Sequence, residues 1–577
     1  MADSTAVYAV GHMSFSSAVR PVHEHQLVAF WAPFLLLHLG GPDNITAYAF
    51  QDNQLWLRHL QILVVQVLGA AYVLYKHIAF AGGGPNRESL RIASFLMFAI
   101  GVVKYGERTW ALKCSTLESI GASINTQPAI HNHFHPQDRL TAEEFHLRRG
   151  HSLFHICKFT IVDSSVLEAD SMELLDVYTV KLTQGVELWT LMEIELSLMY
   201  DLLYTKPGVV HTFCGYLVLV VSPLTVLFQF TSKDGHTRAD VAITYVLLGG
   251  AVFMETTSLL NALASSWTWL QYTTLCNQRW DRLGRGVVWL HDLIKGGAGG
   301  DSRYKSGRWS YTIGQYNLLH FCTRPADTPL TSPLLGRLAR ALGLNEWWNR
   351  KHYSATVKMT DLIRRHIAVY MRRLYSKGRS NSAMLGKKWG EYPLDHRRLY
   401  HGEGIGIWHI ATEVFLTKSK RAKAVDAVPS VHAIRVISDY MMFLLVELTM
   451  QSADPRYPNR LGVFMDLFRV VEREGLANKL YNEHDDKEFS HLAPRLTHMA
   501  RLAKELLEKE KDGTTDTLGL VLDVWMDILV YAGNKCSREF HAQKLNSGGE
   551  LTTIVWLMAE YIYHASVAQK DDVVYNS

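Results

Sequence analysis

The sequence predicts a mostly α-helical protein in which a multi-pass helical membrane domain is followed by a helical soluble domain. Apolar residues make up 48% of the 577 residues, but almost every long apolar run lies before Trp269. Charged runs collect after that residue, and the apolar–polar alternation of a half-buried strand is rare. Because one globular body would spread its apolar residues more evenly, this asymmetry favours a membrane part joined to a soluble part.

Composition argues against some partners and predicts no cofactor. The chain has 59 basic and 55 acidic residues, and its net charge of +4 is too small to indicate a nucleic-acid partner. Its six cysteines are scattered without a CxxC pair, which is typical of reduced thiols. The first apolar stretch, Val7–Val19, is short and lacks a preceding basic region, so we expect no cleavable signal peptide.

Four segments of the first half have the composition of membrane spans. Leu60–Phe80 has about the 20 residues that cross a hydrocarbon core of roughly 30 Å, whereas Ile92–Val103 needs flanking residues to do so. Val209–Phe230 and Val241–Leu263 are apolar apart from a few polar residues. Leu27–Leu39 is so brief that we interpret it as a short or re-entrant helix.

Basic residues predict which side of the membrane the soluble parts face. Lys and Arg flank both ends of the long connection Gly106–Pro207, and most of the others follow Leu263. Since basic residues collect on the cytosolic side, we expect both regions to be cytosolic. Four basic residues in the opposite loops argue against this orientation: Arg87, Arg91, Lys233 and Arg238.

Two ionisable residues lie where a membrane makes a charge costly. Glu255 is near the middle of its apolar segment, and Lys104 follows the end of another. A charge at the bilayer centre costs about 2.5–3.5 kcal/mol on insertion scales, so it normally faces a partner or water. One interpretation is an ion or proton path, or a buried pair between the two. The alternative is a neutral Glu255 hydrogen-bonded to a neighbouring helix, with Lys104 extending to the headgroups.

The second half reads as helices joined by polar loops. Ala433–Thr449 is strongly apolar but carries charged residues, so we predict a core helix there and not a membrane span. The helices predicted for this half are Thr356–Ser376, Ala433–Thr449, Leu496–Lys511, Thr517–Tyr531 and Leu551–Tyr563.

These patterns predict the domain organisation. The membrane domain covers residues 1–268, with about five or six helices and a soluble insertion at 114–206. A helical soluble region follows over 269–510, then a C-terminal helical domain over 511–566 and a tail over 567–577.

Histidines of the long connection are candidates for metal binding. In an extended chain three of them share one face, and on a helix two others, four residues apart, share a face. No cysteine or carboxylate completes a known zinc spacing, so a solvated loop is the alternative. These histidines are His131, His133, His135, His151 and His155.

One pair in the second half has the spacing of an acid–base pair. His409 and Glu413 are four residues apart, so on a helix they are neighbours. No nucleophile or metal ligand lies close to them in sequence, so a purely structural pair is the alternative.

Several blocks of the sequence resemble one family. In chain order they are HLGGPDNITAYAFQDNQLWLRHL (His38–Leu60), KYGERTWAL (Lys104–Leu112), ELSLMYDLLYTK (Glu195–Lys206), LLGGAVFMETTSLL (Leu247–Leu260) and IWHIATE (Ile407–Glu413). They resemble the plant membrane proteins called domain of unknown function 4220. The stretch Val524–Leu557 is similar to the domain of unknown function 594 that usually ends these chains.

The resemblance implies a multi-pass plant membrane protein with a cytosolic tail. It carries over no catalytic residues, because the family has no established chemistry. Family members usually have one or two further hydrophobic helices before the region that corresponds to Val7–Val19, so we expect a shortened start here.

Three functions of different classes are compatible with these observations. The first is a membrane-anchored scaffold or signalling protein of unknown molecular activity, whose cytosolic helical tail binds protein partners. The second is an ion or small-solute transporter or channel centred on Glu255 and Lys104, in which the helices form a homo-oligomer or enclose a path. The third is a membrane enzyme that acts on lipid. The long tail and the lack of common catalytic motifs in the sequence favour the scaffold.

Overall fold

A computed structural model describes most of the predicted helices. Besides a few isolated positions, the described residues are 25–40, 50–79, 85–124, 142–162, 185–206, 238–263, 312–317, 355–376, 403–451, 494–513 and 516–562. Nearly all of them are helical, which confirms a mostly α fold. The predicted span Val209–Phe230 and the histidines His131, His133 and His135 lie outside them.

The chain divides into two compact units that interleave along the sequence. Unit 1 comprises Met1–Val166, Leu191–Trp309 and Arg538–Gly549. Unit 2 comprises Leu167–Thr190, Ser310–Ser537 and Glu550–Ser577. These units divide the chain at other residues than the predicted domain bounds, which stay a prediction.

The described elements of unit 1 are all helices. They are α1 (His25–Leu39), α2 (Phe50–Gln54), α3 (Trp56–Ala79), α4 (Pro85–Cys114), α5 (Leu117–Ile124), α6 (Ala142–Val162), most of α7 (Gly185–Tyr204), α8 (Arg238–Leu263) and α14 (Arg538–Leu545).

Helix α1 is the buried centre of the apolar packing in unit 1, in contact with α3, α4 and α8. Leu36 packs with Ala70 of α3 and Tyr105 of α4, and Leu37 packs near Val252 of α8. A helix that is apolar all round has to be enclosed by its neighbours. Gly101 of α4 allows the close approach, because a Cβ there would lie 3.2 Å from the backbone nitrogen of Leu37.

The outer helices of unit 1 expose large apolar side chains. On α3, Val65 and Leu68 are each 64% exposed, and on α8 Phe253 is 68% exposed. Helix α4 exposes Ile92 and Phe95 in the same way. Single exposed apolar residues are ordinary on a soluble protein, but continuous rows of them mark a surface that contacts something apolar.

Unit 2 combines helices with one small antiparallel sheet. Its described elements are β1 (Thr312–Gln315), β2 (Ala355–Lys358), α9 (Asp361–Ser376), α10 (Glu403–Lys418), α11 (Val428–Gln451), α12 (Pro494–Asp512), α13 (Thr517–Lys535) and α15 (Leu551–Ile562). Helix α11 packs on α10, α13 and β1, and α10 also packs on α12. In the interior of the unit, the indole nitrogen of Trp525 on α13 donates to the hydroxyl of Thr412 on α10 at 3.1 Å.

Three helical segments within the described residues are long and apolar enough to cross a membrane. They are Trp56–Tyr75, Val425–Val446 and Thr517–Lys535. Of the most apolar window of the first, 22% is buried, against 56% and 67% for the other two. The α3 segment is therefore mostly exposed, whereas α11 and α13 are mostly enclosed by neighbouring residues.

The other predicted spans have different outcomes. Ile92–Val103 is the middle of the longer helix α4, and Leu27–Leu39 forms α1. The predicted span Val241–Leu263 lies within α8, whose apolar part, Tyr245–Leu260, is shorter than the three candidate spans.

Candidate functional site

The structure brings Glu255 and Lys104 into direct contact. The Nζ atom of Lys104, on α4, donates to Oε2 of Glu255, on α8. Both side chains are buried, at 2% and 6% exposure. Lys104 thus points into the protein instead of extending to the headgroups, and the pair joins two residues that are 151 positions apart in the sequence.

Two further basic residues hold the end of α1. Arg108 donates from Nη1 to the carbonyl of Leu39 at 2.9 Å, and Lys206 donates from Nζ to the carbonyl of Gly40 at 3.3 Å. The last carbonyls of a helix have no partner within the helix and carry partial negative charge, so cations there are stabilising. Lys206 is 1% exposed, which makes this contact part of the interior.

We call Gly40, Lys104, Arg108, Lys206 and Glu255 the α1-end cluster. A Cβ on Gly40 would lie 3.1 Å from Cβ of Lys104, so glycine lets the end of α1 approach α4. Burying ions costs several kcal/mol each, and they are tolerated where charges and carbonyls face one another. The cluster therefore fixes how α1, α4 and α8 meet.

Asn53 connects the same region to α7. Its Nδ2 atom donates to the carbonyls of Leu203, at 2.9 Å, and Ser115, at 3.3 Å, and the side chain is fully buried. The sequence alone does not mark Asn53, Arg108 or Lys206 as residues of a site. The signal for them was their position inside the sequence blocks that carry the family resemblance.

His409 lies in the interior of unit 2. Its Nδ1 atom is 2.9 Å from the Ser438 hydroxyl and 3.9 Å from Oδ1 of Asp439. Burial, which disfavours the charged imidazole, lowers the pKa of His409 to about 4. Glu413 lies 3.8 Å from Nε of Arg435. A fully buried, neutral His409 suits a structural hydrogen bond better than acid–base work on a substrate.

Of the candidate metal ligands, the two that the structure describes lie on α6. The ring of His151 packs edge-on against Trp267 at 5.0 Å, and Nδ1 of His155 donates to the carbonyl of Ser152 at 2.7 Å. Among the residues that the structure describes, no group of three His, Cys, Asp or Glu side chains is arranged to hold a metal ion.

The fold and the α1-end cluster define a mostly α-helical protein that has helices long and apolar enough to span a membrane and, between α4 and α8, a buried pair of charged side chains. The chain belongs to the family of the domain of unknown function (DUF4220), whose model matches residues 1–322. A second model, the protein of unknown function DUF594, matches residues 510–563. Neither the curated proteins nor the solved structures contain a significant match.

The two family matches cover different parts of the candidate site and of the two units. All residues of the α1-end cluster lie within 1–322, while the block Ile407–Glu413 lies outside both matches. The DUF594 match contributes α13 and α15 to unit 2, but α14 to unit 1. The two family regions are therefore not separate compact bodies.

Proposed function

We propose that this protein is a membrane-anchored scaffold, in which unit 1 is held in a lipid bilayer and unit 2 binds cytosolic protein partners. The exposed apolar surface of α3, α4 and α8 is the observation that carries the anchor. Val65 and Leu68 on α3 and Phe253 on α8 are each exposed by more than 60%. Leaving such side chains in water forfeits roughly 1.5–3 kcal/mol each, which a hydrocarbon environment recovers.

Helix lengths agree with an anchor of this kind. Helix α3 has 24 residues. At about 1.5 Å per residue it is longer than a hydrocarbon core of roughly 30 Å, and its apolar segment Trp56–Tyr75 is one of the candidate spans. Helix α1 has 15 residues and is enclosed by the others, so it adds packing without needing a lipid face.

The α1-end cluster supports a fixed anchor. Lys104 and Glu255 compensate each other's charge. Arg108 and Lys206 donate hydrogen bonds to the carbonyls at the end of α1. In hydrocarbon a broken contact of this type leaves a charge without water, so the arrangement resists movement of α4 against α8.

Helix α9 offers a surface suited to a protein partner. Arg365, Val369 and Arg373 follow one another at four-residue spacing and are all exposed, with Val369 at 51%. Arg373 lies 3.2 Å from Asp523, which fixes its orientation. An apolar residue between two arginines complements an amphipathic partner with acidic residues.

Site-specific cross-linking of the full chain in native membranes tests the scaffold. A photoreactive amino acid at Val369 is expected to give discrete protein adducts, and Arg365→Glu is expected to weaken them by about tenfold, roughly 1.4 kcal/mol. The matched control is the same amino acid at Glu508, an exposed position on α12. Adducts from Val369 no stronger than those from Glu508, in correctly inserted protein, would rule out this binding surface.

A transporter or channel is the second candidate, and the buried Lys104–Glu255 pair is the observation that favours it. Ionisable residues buried among apolar helices often line proton or ion pathways. Such a path requires the pair to exchange its proton or partner during transport. The two candidates therefore differ in whether the pair opens.

A further inference from the structure

The connection between α10 and α11 is unusually basic. It comprises two short 3₁₀ turns, Arg421–Lys423 and Val425–Ala427, between the end of α10 and the start of α11. We call residues Lys418–Val428 the basic loop. Asp426 is its one acidic residue. Its basic residues are Lys418, Lys420, Arg421 and Lys423.

The same loop exposes its largest apolar side chains. Val425 is 89% exposed and Val428 is 58% exposed, while Lys420 and Lys423 beside them are exposed too. Val425 is the most exposed of the large apolar residues that the structure describes. Two exposed valines are unfavourable in a loop that contacts only water. They are favourable in a loop that buries them at an interface.

The basic loop is held in shape by short contacts. The backbone nitrogen of Arg421 donates to Oε1 of Glu510 at 3.0 Å, and that of Ala422 donates to the Ser419 hydroxyl at 2.9 Å. The guanidinium of Arg421 lies 2.8 Å from Asp426. Because these contacts already order the backbone, binding through the loop costs little further conformational entropy.

We infer that the basic loop is a contact site for anionic phospholipid headgroups. Lys420 and Lys423 attract the lipid phosphates and carboxylates, while Val425 and Val428 enter the boundary between headgroups and acyl chains. Val425, at 89% exposure, protrudes much further than Val369 of α9 does at 51%, and a protruding apolar side chain beside lysines suits insertion at a lipid surface. This inference rests on the anchoring of unit 1 proposed above, which confines the loop near a bilayer and raises its effective concentration there. It does not depend on the partner surface of α9.

The test uses the full chain in vesicles, with an environment-sensitive fluorescent amino acid at position 425. In vesicles of phosphatidylcholine with phosphatidylserine we expect blue-shifted emission that brominated lipids quench. Each basic residue near an anionic surface contributes roughly fivefold to binding, so Lys420→Gln/Lys423→Gln, which leaves the Arg421–Asp426 pair intact, should weaken the contact by about 25-fold. High salt should weaken it as well.

Three comparisons make the outcome decisive. The same fluorophore at Asp361, whose side chain is 78% exposed on α9, should report water in every lipid. Flotation of each vesicle sample shows independently whether unit 1 is anchored. Emission from position 425 that stays water-like, or that does not respond to anionic lipid, in floating vesicles would overturn the lipid contact. A shift that needs an added cytosolic protein would overturn it as well.

Discussion

At the scale of single residues, a charge enters an apolar interior only with a partner. Lys104 is 2% exposed and Glu255 is 6% exposed, and each faces the other. Removing one partner leaves an uncompensated charge, which costs about 3–5 kcal/mol, whereas replacing both costs far less. The pair should therefore behave as one unit in mutagenesis.

A double-mutant cycle tests this coupling. Glu255→Gln and Lys104→Met should each lower the free energy of unfolding by about 3 kcal/mol, and the double variant should recover most of that loss. Thermal unfolding in nanodiscs measures it. Glu118→Gln, at an exposed position on α5, is the matched control and should change stability by less than about 0.5 kcal/mol. Additive effects of the two variants would show that the pair is not coupled.

The burial of His409 predicts a pH dependence for unit 2. Its pKa of about 4 lies below the unfolded value of about 6.5, so the unfolded state binds more protons between these values. The stabilising contribution is complete above the unfolded pKa and is lost as pH falls towards the folded pKa. Measured as the difference between wild type and a variant without His409, stability should therefore drop by roughly 2 kcal/mol between pH 7 and pH 5. The difference is needed because burial raises the pKa of the neighbouring Asp439 to about 7, which gives that carboxyl the opposite slope.

Hydrogen exchange of peptides from α10 and α11 measures this loss. His409→Asn should remove the imidazole's part of the pH dependence and leave the part that comes from Asp439. Ser438→Ala, which deletes the hydrogen-bond partner but keeps the imidazole, should lower stability at every pH and keep the slope. The same slope in wild type and His409→Asn would assign the titration to another group.

At this scale the sequence predicts which buried charges are energetically costly, but it does not predict which groups compensate them. The positions of Glu255 and Lys104 within apolar segments indicated that each needs a partner. The partner itself depends on how α1 brings α4 and α8 together, which no local spacing encodes. For His409, the i, i+4 rule indicated Glu413, whereas Ser438 of α11 lies within hydrogen-bonding distance.

At the scale of elements, α14 shows how a short helix is fixed by contacts with residues distant in the sequence. The Tyr204 hydroxyl donates to the Ala542 carbonyl at 2.9 Å, and Nε of Arg538 donates to the Thr160 carbonyl at 2.8 Å. An eight-residue helix is not stable alone in water, so these contacts have to hold it. At its end, Gly548 and Gly549 have φ of 91° and 76°, which favours glycine in the turn that leads to α15.

Removing one of these contacts should loosen α14. Arg538→Ala is expected to raise amide exchange across α14 by about tenfold, because one charge-assisted hydrogen bond contributes roughly 1.5 kcal/mol. Glu539→Ala, at the adjacent exposed position, is the control and should leave the exchange unchanged. Equal exchange in both variants would mean that other contacts hold the helix.

Element types were largely predictable and their bounds were less so. The predicted helix Thr356–Ser376 begins at Asp361 in the structure, and Ala355–Lys358 forms a strand. The apolar spacing there fitted a helix, but Val357 pairs with Ile313 of a strand distant in sequence. Pairing of this kind is a tertiary effect that overrides local periodicity.

At the scale of the whole molecule, the predicted contrast between an apolar and a charged half corresponds to two kinds of surface. Unit 1 exposes rows of apolar side chains on its helices, while the exposed apolar side chains described in unit 2 are few: Val369, Val425 and Val428. Composition alone indicated this contrast. It did not indicate that the units interleave, since the C-terminal family region gives α14 to unit 1.

The central claim is that the Lys104–Glu255 pair locks a membrane anchor and does not conduct. Ion flux into proteoliposomes, measured across a panel of ions with wild type and Glu255→Gln, tests it most directly. Flotation and thermal unfolding confirm that both proteins are inserted and folded. We predict that vesicles with wild type leak no faster than protein-free vesicles. Flux above that background, abolished by Glu255→Gln, would contradict the claim and make the pair the centre of a transport path.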